Sequence, residues 1–371
     1  MEKLCIIYNF AAQYREGIFR LLDKEYDCYW FFGDNKTDIK GLDLNILKNV
    51  SLLKNKIFFL RPFYFQSGSL KLLQRKDFST FLILGDLFCI STWILAILAK
   101  LFYRDKYIYF WSHGWYGKES KIRRFLKKIF FSLADATFLY GNYAKQLMRE
   151  EGFATDKLFV IHNSLLYQKQ LELRKDLFLS NLYEEHFGNK ARNLIFIGRL
   201  TPVKKIELLI EALLILKQSG LQYNLTLVGG GVQEPFLKEL VEQYYLNDNV
   251  WFYGVCYDEI KNAELIYNAD LCVSPGNVGL TAIHSMMFGT PVITHNCLKF
   301  QMPEFEAIHE GVTGSFFDYN NASSIADCII RWNEKYTDKR EEVRLACFNE
   351  IDKFWTPKFQ LEIIKANLKF K

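Results

Sequence analysis

Proline is scarce in this chain, 7 of 371 residues, and glycine is modest at 21. With half of the residues hydrophobic and 24% charged, that composition excludes a collagenous, low-complexity or disordered protein. The eight cysteines never fall in a Cys-x-x-Cys pair, and most sit in apolar runs. Their spacing argues against a zinc site and a disulfide framework, and for buried thiols in a reducing cytoplasm. A secretory leader is not expected, because Met1-Glu2-Lys3 runs straight into Leu4-Cys5-Ile6-Ile7-Tyr8, too short for a signal core and readable as a first strand. Phe81 to Phe102 is apolar apart from Asp86, a few hydroxyls and Lys100, about the length of a membrane span. Gly85-Asp86 divides it into a strand-like and a helix-like half, so a buried strand–turn–helix is expected instead.

What is present is an alternation. Short β-rich apolar runs at 3–9, 27–32, 57–61, 79–84, 107–111, 136–140 and 158–161 are separated by stretches of helical spacing. After a polar connector, Lys169 to Lys190, the rhythm restarts at 193–197, 223–228, 249–253, 270–273 and 291–294. Repeated βα units imply parallel sheets covered by helices. At roughly 100–200 residues per domain, the expectation is α/β: two Rossmann-like, doubly wound domains facing across a cleft. Residues 1–184 would form the first domain, 185–350 the second, and 351–371 a terminal helix packing back on the first. Ligands of such sheets bind at the carboxyl ends of the strands. Charge is uneven: residues 1–182 hold 28 Lys and Arg against 18 Asp and Glu, although the whole chain is only +5. A basic half faces something anionic. With 16% aromatics and no nucleic-acid motif, a membrane surface or a lipid-linked phosphate fits better than nucleic acid.

The chemistry concentrates in the second half. The strand 193–197 ends at Gly198 and presents Arg199 and Lys204 before the next helix, two cations where a diphosphate would need them. Leu227-Val228-Gly229-Gly230-Gly231 is a second strand ending in a turn that lets backbone approach a ligand. The third segment, Ala269 to Leu280, reads as strand, loop and helix start, so the amides of Val278, Gly279 and Leu280 would carry the helix's positive end.

The ordered set Gly-Arg-Leu-x-x-x-Lys (198–204), Val-Gly-Gly-Gly (228–231), Phe-Tyr-Gly (252–254), Ala-Asp-Leu-x-Val-x-Pro (269–275), Gly-Leu (279–280), Gly-Thr-Pro-Val-Ile (289–293), Glu-Ala-Ile (306–308) and Gly-x-Thr-Gly (311–314) resembles the family-4 glycosyltransferases. The resemblance implies the GT-B fold and transfer of a sugar from a nucleotide-diphosphate donor to an acceptor hydroxyl, with retention. Arg199 and Lys204 would stabilise the departing diphosphate. Gly198, Gly229, Gly230, Gly254, Asn277, Val278, Gly279, Leu280, His284 and Glu306 would line the donor site. No metal or other cofactor is expected, in keeping with the lack of an Asp-x-Asp triplet or a His/Cys cluster. His113, in Trp111-Ser112-His113-Gly114-Trp115, resembles the family's acceptor-domain histidine and is assigned to catalysis. Gly114 and Arg15, the latter on the first βα loop, are assigned to the acceptor side.

One departure bears on activity. The family's two glutamates, separated by seven residues across the Gly-Leu turn, correspond to Gly276 and His284 here. Three readings follow: an active divergent subgroup using Asn277, local backbone and His284; a non-catalytic sugar-nucleotide-binding partner subunit; or a related activity such as a GT-B sugar-nucleotide epimerase. Glu304 and Glu306 supply acids nearby. Residues 118–131 hold six cations, all within the eleven positions 118–128, with Ile122, Phe125, Leu126 and Ile129 at helical spacing. That is a basic amphipathic helix suited to an anionic membrane, or an apolar stripe packed on the sheet beneath a solvated basic face. The expected protein is bacterial and cytoplasmic, peripheral on the inner face of the cell membrane. Its acceptor would be a lipid-linked or surface polysaccharide or lipopolysaccharide precursor.

Overall fold

The computed structural model describes residues 1–34, 40–58 and 62–371. Contacts divide them into two units, Met1–Leu166 with Thr356–Lys371, and Tyr167–Trp355.

The first unit is built on strands β1 (Lys3–Tyr8), β2 (Asp27–Gly33), β3 (Val50–Ile57), β4 (Tyr64–Ser67), β5 (Thr80–Leu84), β6 (Tyr107–Ser112), β7 (Ala136–Leu139) and β8 (Leu158–Val160). Helices α1 (Glu16–Glu25), α2 (Ile90–Phe102), α3 (Lys121–Ser132) and α4 (Asn142–Glu150) cover it. The sheet order is β4-β3-β2-β1-β5-β6-β7-β8, parallel except for β3 against β4. Its central strands are buried on both faces, which is why they read as unbroken apolar runs. Connections leave β1 in opposite directions, so the switch point lies between β1 and β5. The apolar stretch 81–102 becomes β5 and the 13-residue α2. Among the described residues no helix is long and apolar enough to cross a membrane. Of the strand expected at 57–61, residues 59–61 lie outside the described residues.

The second unit contains α5 (Tyr167–Lys175), α6 (Leu182–Phe187), β9 (Arg192–Ile197), α7 (Ile206–Gln218), β10 (Tyr223–Val228), α8 (Glu234–Gln243), β11 (Val250–Gly254), α9 (Glu259–Asn268), β12 (Leu271–Ser274), α10 (Leu280–Met287), β13 (Val292–His295), β14 (Gly314–Phe317), α11 (Ala322–Tyr336) and α12 (Arg340–Phe354). Its all-parallel sheet runs β11-β10-β9-β12-β13-β14, with the switch point between β9 and β12. Side-chain caps start several helices. Asp258 accepts from Ile260 N at the head of α9, and Asn321 from Ser324 N at the head of α11.

Two boundaries differ from expectation. The division near 184 falls at 166/167, because α5 and α6 dock on the second unit and are not a free linker. The buried Tyr183 donates to Leu265 O at 2.7 Å, and Arg174 pairs with Asp352 at 2.7 Å. The returning tail starts at Thr356 rather than 351. Thr356 caps α13 (Pro357–Asn367), with proline in the first turn where its missing N–H costs nothing. α13 lies in the first unit, where Gln360 donates to His162 O at 2.8 Å and accepts from Ser164 at 2.6 Å.

Candidate active site

The neighbouring carboxyl ends of β9 and β12 bring together Lys204 and Asn277, 73 residues apart in sequence. After Ile197 the chain passes Gly198 and the exposed Arg199, makes a 3-10 turn at Pro202–Lys204, and enters α7 through Lys205 in a left-handed conformation (φ 53). Lys204 Nζ donates to Asn277 O at 2.6 Å, and Gly276 N donates back to Lys204 O at 2.9 Å. Thr281 ties the start of α10 to β9 through Ile197 O at 2.8 Å. Burial lowers the Lys204 pKa to about 8; the Glu304 carboxylate raises it, and the Arg199 charge lowers it further. Arg199, Lys204, Asn277 and the head of α10 are therefore one cluster.

Gly276 has a packing reason. A Cβ there would lie 2.1 Å from Val203 O and 2.7 Å from Lys204 Cα, so the close seating of the 202–204 turn excludes every side chain, glutamate included. The lost carboxylate and the position of Lys204 are two sides of one contact. Asn277 Oδ1 is buried with no hydrogen-bond partner among the described residues. Glu304, 2% exposed on the 3-10 turn Pro303–Ala307, faces Lys204 electrostatically. It is an acid acting on the cation cluster that was not among the expected donor-site residues. Glu306, on the same turn, is half-buried.

Other assignments are corrected. The Val278 amide does not face a phosphate: it is buried and donates to Gln301 Oε1 at 2.9 Å. Gln301 in turn donates to Thr294 Oγ1 and His295 O at 2.8 and 2.9 Å, fixing the loop before α10. Gly279 and Leu280 remain at the helix head, where amides lack intrahelical acceptors. The triple-glycine turn approaches protein backbone. A Cβ on Gly229 would lie 1.9 Å from Gly198 O, and Leu200 N donates to Gly230 O at 2.9 Å. Gly229 N donates to Gly254 O at 2.8 Å, so these glycines let three strand ends close on one another.

His284 is held by a partner that sequence reading missed. Its Nε2 lies 2.9 Å from Glu259 Oε1, which also accepts from Gln170 Nε2 at 2.7 Å. Burial opposes the Glu259 charge, but the His284 imidazole and the surrounding hydrogen bonds outweigh it and lower that carboxyl's pKa. A carboxylate is thus held against the His284 ring from α9. The only sequence signal was Asp258, the cap that places Glu259 at the start of α9.

In the first unit, a cavity of about 320 Å³ lies at the carboxyl ends of β1, β5 and β6, with Arg15, Asp86, His113, Gly114, Arg123 and Lys127 among its lining residues. His113 and Arg15 both meet Tyr140: the imidazole packs 4.6 Å from its ring centroid, and Arg15 Nη2 donates to its hydroxyl at 2.5 Å. Burial, then the charges of Arg15 and Lys127, depress the His113 pKa to about 3, so the imidazole is neutral. Gly114 offers its carbonyl to Lys127 Nζ at 2.6 Å.

The segment 118–131, whose helix α3 begins only at Lys121, divides unexpectedly. Lys127 turns inward and pairs with Glu119 at 2.6 Å, whereas the apolar stripe faces outward, with Ile122 75% and Phe125 64% exposed and Leu126 and Ile129 exposed beside them. Phe130 and Phe131 are the buried apolar residues of α3. The stripe is therefore not packed on the sheet.

Residues 180–346 match the family model described as glycosyl transferases group 1. The putative colanic acid biosynthesis glycosyltransferase WcaL of Escherichia coli K12 is 27% identical over 154 residues, 39% of this chain and 37% of that protein. The amylovoran biosynthesis glycosyltransferase AmsK of Erwinia amylovora is 29% identical over 170 residues, 42% of this chain and 40% of that one. The chain thus spans about two fifths of the length of these curated relatives. Anabaena Alr3699/HepE, solved in complex with UDP, superposes with a TM-score of 0.71 at 15% identity, covering 99% of both chains. The fold class is the expected one: two parallel-sheet, Rossmann-like α/β units with GT-B glycosyltransferases as structural neighbours.

Proposed function

We propose that the chain is a sugar-nucleotide-dependent glycosyltransferase whose second unit holds the donor and whose first unit takes the acceptor. The observation that carries this reading is the cluster at the β9/β12 switch point, where Lys204 is seated on Asn277 O beside Arg199 and the head of α10. As the acceptor hydroxyl oxygen bonds to the anomeric carbon, the bond to the β-phosphate oxygen breaks, its electron pair stays on the diphosphate, and the hydroxyl proton passes to the departing phosphate oxygen. Fixed cations and helix-head amides stabilise that growing charge, so the reading is metal-independent. Asn277 Oδ1 is a ready acceptor for a sugar hydroxyl, and His284, oriented by Glu259, is the candidate ribose contact. Neutral His113 is placed to accept a hydrogen bond from a hydroxyl. Retention rests on the family-4 motif order. The exposed apolar stripe of α3 beside Lys121, Arg123 and Lys128 supports docking on the anionic inner face of a bacterial membrane, and with it a lipid-linked precursor of surface polysaccharide or lipopolysaccharide. UDP is the first donor base to test, since it is the nucleotide bound by the HepE structure.

The exclusion of any side chain at 276 favours a second reading, a sugar-nucleotide-binding partner subunit. Incubating labelled UDP-, GDP-, dTDP- and ADP-sugars with bacterial lipid extract separates the two. The proposal expects label in the lipid fraction with matching release of nucleoside diphosphate, and an axial glycosidic product from an axial donor. Donor binding without release would favour the partner subunit, and an epimerised sugar still attached to its nucleotide would favour an epimerase.

A further inference from the structure

The cavity of the first unit contains a buried arginine with no carboxylate paired to it among the described residues. Arg15 is 8% exposed, and its guanidinium lies 5.2 to 5.4 Å from the ring centroids of Tyr8, Tyr14, Trp111 and Tyr140. Tyr140 accepts from Nη2, but Nη1 is buried with no hydrogen-bond partner among the described residues. The acid on the cavity wall, Asp86, is already engaged: Oδ1 accepts from Phe88 N and Oδ2 from the Tyr64 hydroxyl, each at 3.0 Å. Lys127 is matched by Glu119, and Arg123, over the Phe88 ring, adds a second cation to the lining.

A guanidinium removed from water needs an anion or a full set of acceptors. Aromatic faces attract it and fix the plane of its fork, yet they leave in-plane N–H donors unmet. The fork matches the paired oxygens of a phosphoryl or carboxylate group. Resting on the reading of this unit as the acceptor side, we propose that the cavity takes an oxyanion carried by the acceptor sugar, with Arg15 as its ligand. At about 320 Å³, near the lower bound of small-molecule sites, it has room for one charged sugar.

Calorimetry on the full chain tests this, with glucose 1-phosphate, glucuronate and glucose as probes. An Arg199→Ala/Lys204→Ala background removes both donor-cluster cations and so suppresses phosphate binding there. The phosphate or the carboxylate probe should bind at least tenfold tighter than glucose, the stronger of the two identifying the oxyanion. Arg15→Met should erase the preference. Should that variant not fold, Arg15→Lys, which keeps the charge without the fork, should reduce it at least threefold. Equal binding of all three probes to the parent, or a preference that survives these substitutions, would overturn the inference. UDP binding to the wild type is scored separately, since its failure counts against the glycosyltransferase reading and leaves the oxyanion result standing.

Discussion

At the scale of single residues, Lys204 joins two demands. Its ammonium must be desolvated to act strongly on a diphosphate, and that desolvation is what lowers its pKa to about 8. The unfolded chain would keep the proton to about 10.4. Between these values the unfolded state binds more protons, so the contribution of Lys204 to stability without ligand rises with pH. Affinity for a nucleoside diphosphate runs the other way, because the bound anion wants the charged amine. From pH 7 to pH 9 the dissociation constant should rise about tenfold in the wild type and stay nearly flat in Lys204→Ala; a wild-type profile as flat as the variant's would remove Lys204 from the site. That Arg199 and Lys204 would share one strand end was legible because the motifs stand in order along the chain. What stayed hidden are partners far away in sequence. Val278 gives its amide to Gln301, and His284 leans on Glu259, pairings made only when α9, α10 and the 295–301 loop fold against one another.

At the scale of elements, most strands were legible because central parallel strands bury both faces and read as apolar runs. β3 escaped, since its sequence Val-Ser-Leu-Leu-Lys-Asn-Lys-Ile is largely exposed and breaks the apolar run with two lysines. β14, four residues opening on glycine, was too short to stand out. Helix α3 shows the opposite difficulty: periodicity revealed an apolar stripe but not which way it faced. Solvent exposure of that stripe gives a direct test. The pair Ile122→Ser and Phe125→Ser should abolish co-sedimentation with phosphatidylglycerol-containing vesicles, and Lys121→Glu with Lys128→Glu should weaken it, each cation near a charged surface being worth about 1 kcal/mol. Thermal stability should hardly change, since exposed substitutions usually fall within about 0.5 kcal/mol. Unchanged vesicle binding by both pairs would show that α3 is not the membrane face.

At the scale of the whole molecule, each unit places chemistry at its own switch point: two cations and a helix head between β9 and β12, and a caged arginine with a neutral histidine beyond β1, β5 and β6. The division into two α/β units was legible from the repeated βα rhythm. The place of the connector was not, because its polarity resembles a linker and its docking is made through distant partners of Gln170, Arg174 and Tyr183. The claim on which the account turns is that the β9/β12 cluster binds a diphosphate. It is tested most directly by melting the wild type, Arg199→Ala and Lys204→Ala with UDP, GDP, dTDP and ADP, and with uridine as the phosphate-free control. At a hundredfold its dissociation constant a ligand adds about 2.7 kcal/mol. Each lost charge-assisted contact, about 1.5–3 kcal/mol, should weaken binding tens-fold. The account predicts that one nucleoside diphosphate stabilises the wild type and that both substitutions largely cancel the shift without altering any effect of uridine. A wild-type melt unmoved by every diphosphate, or a shift that both variants retain, would contradict it.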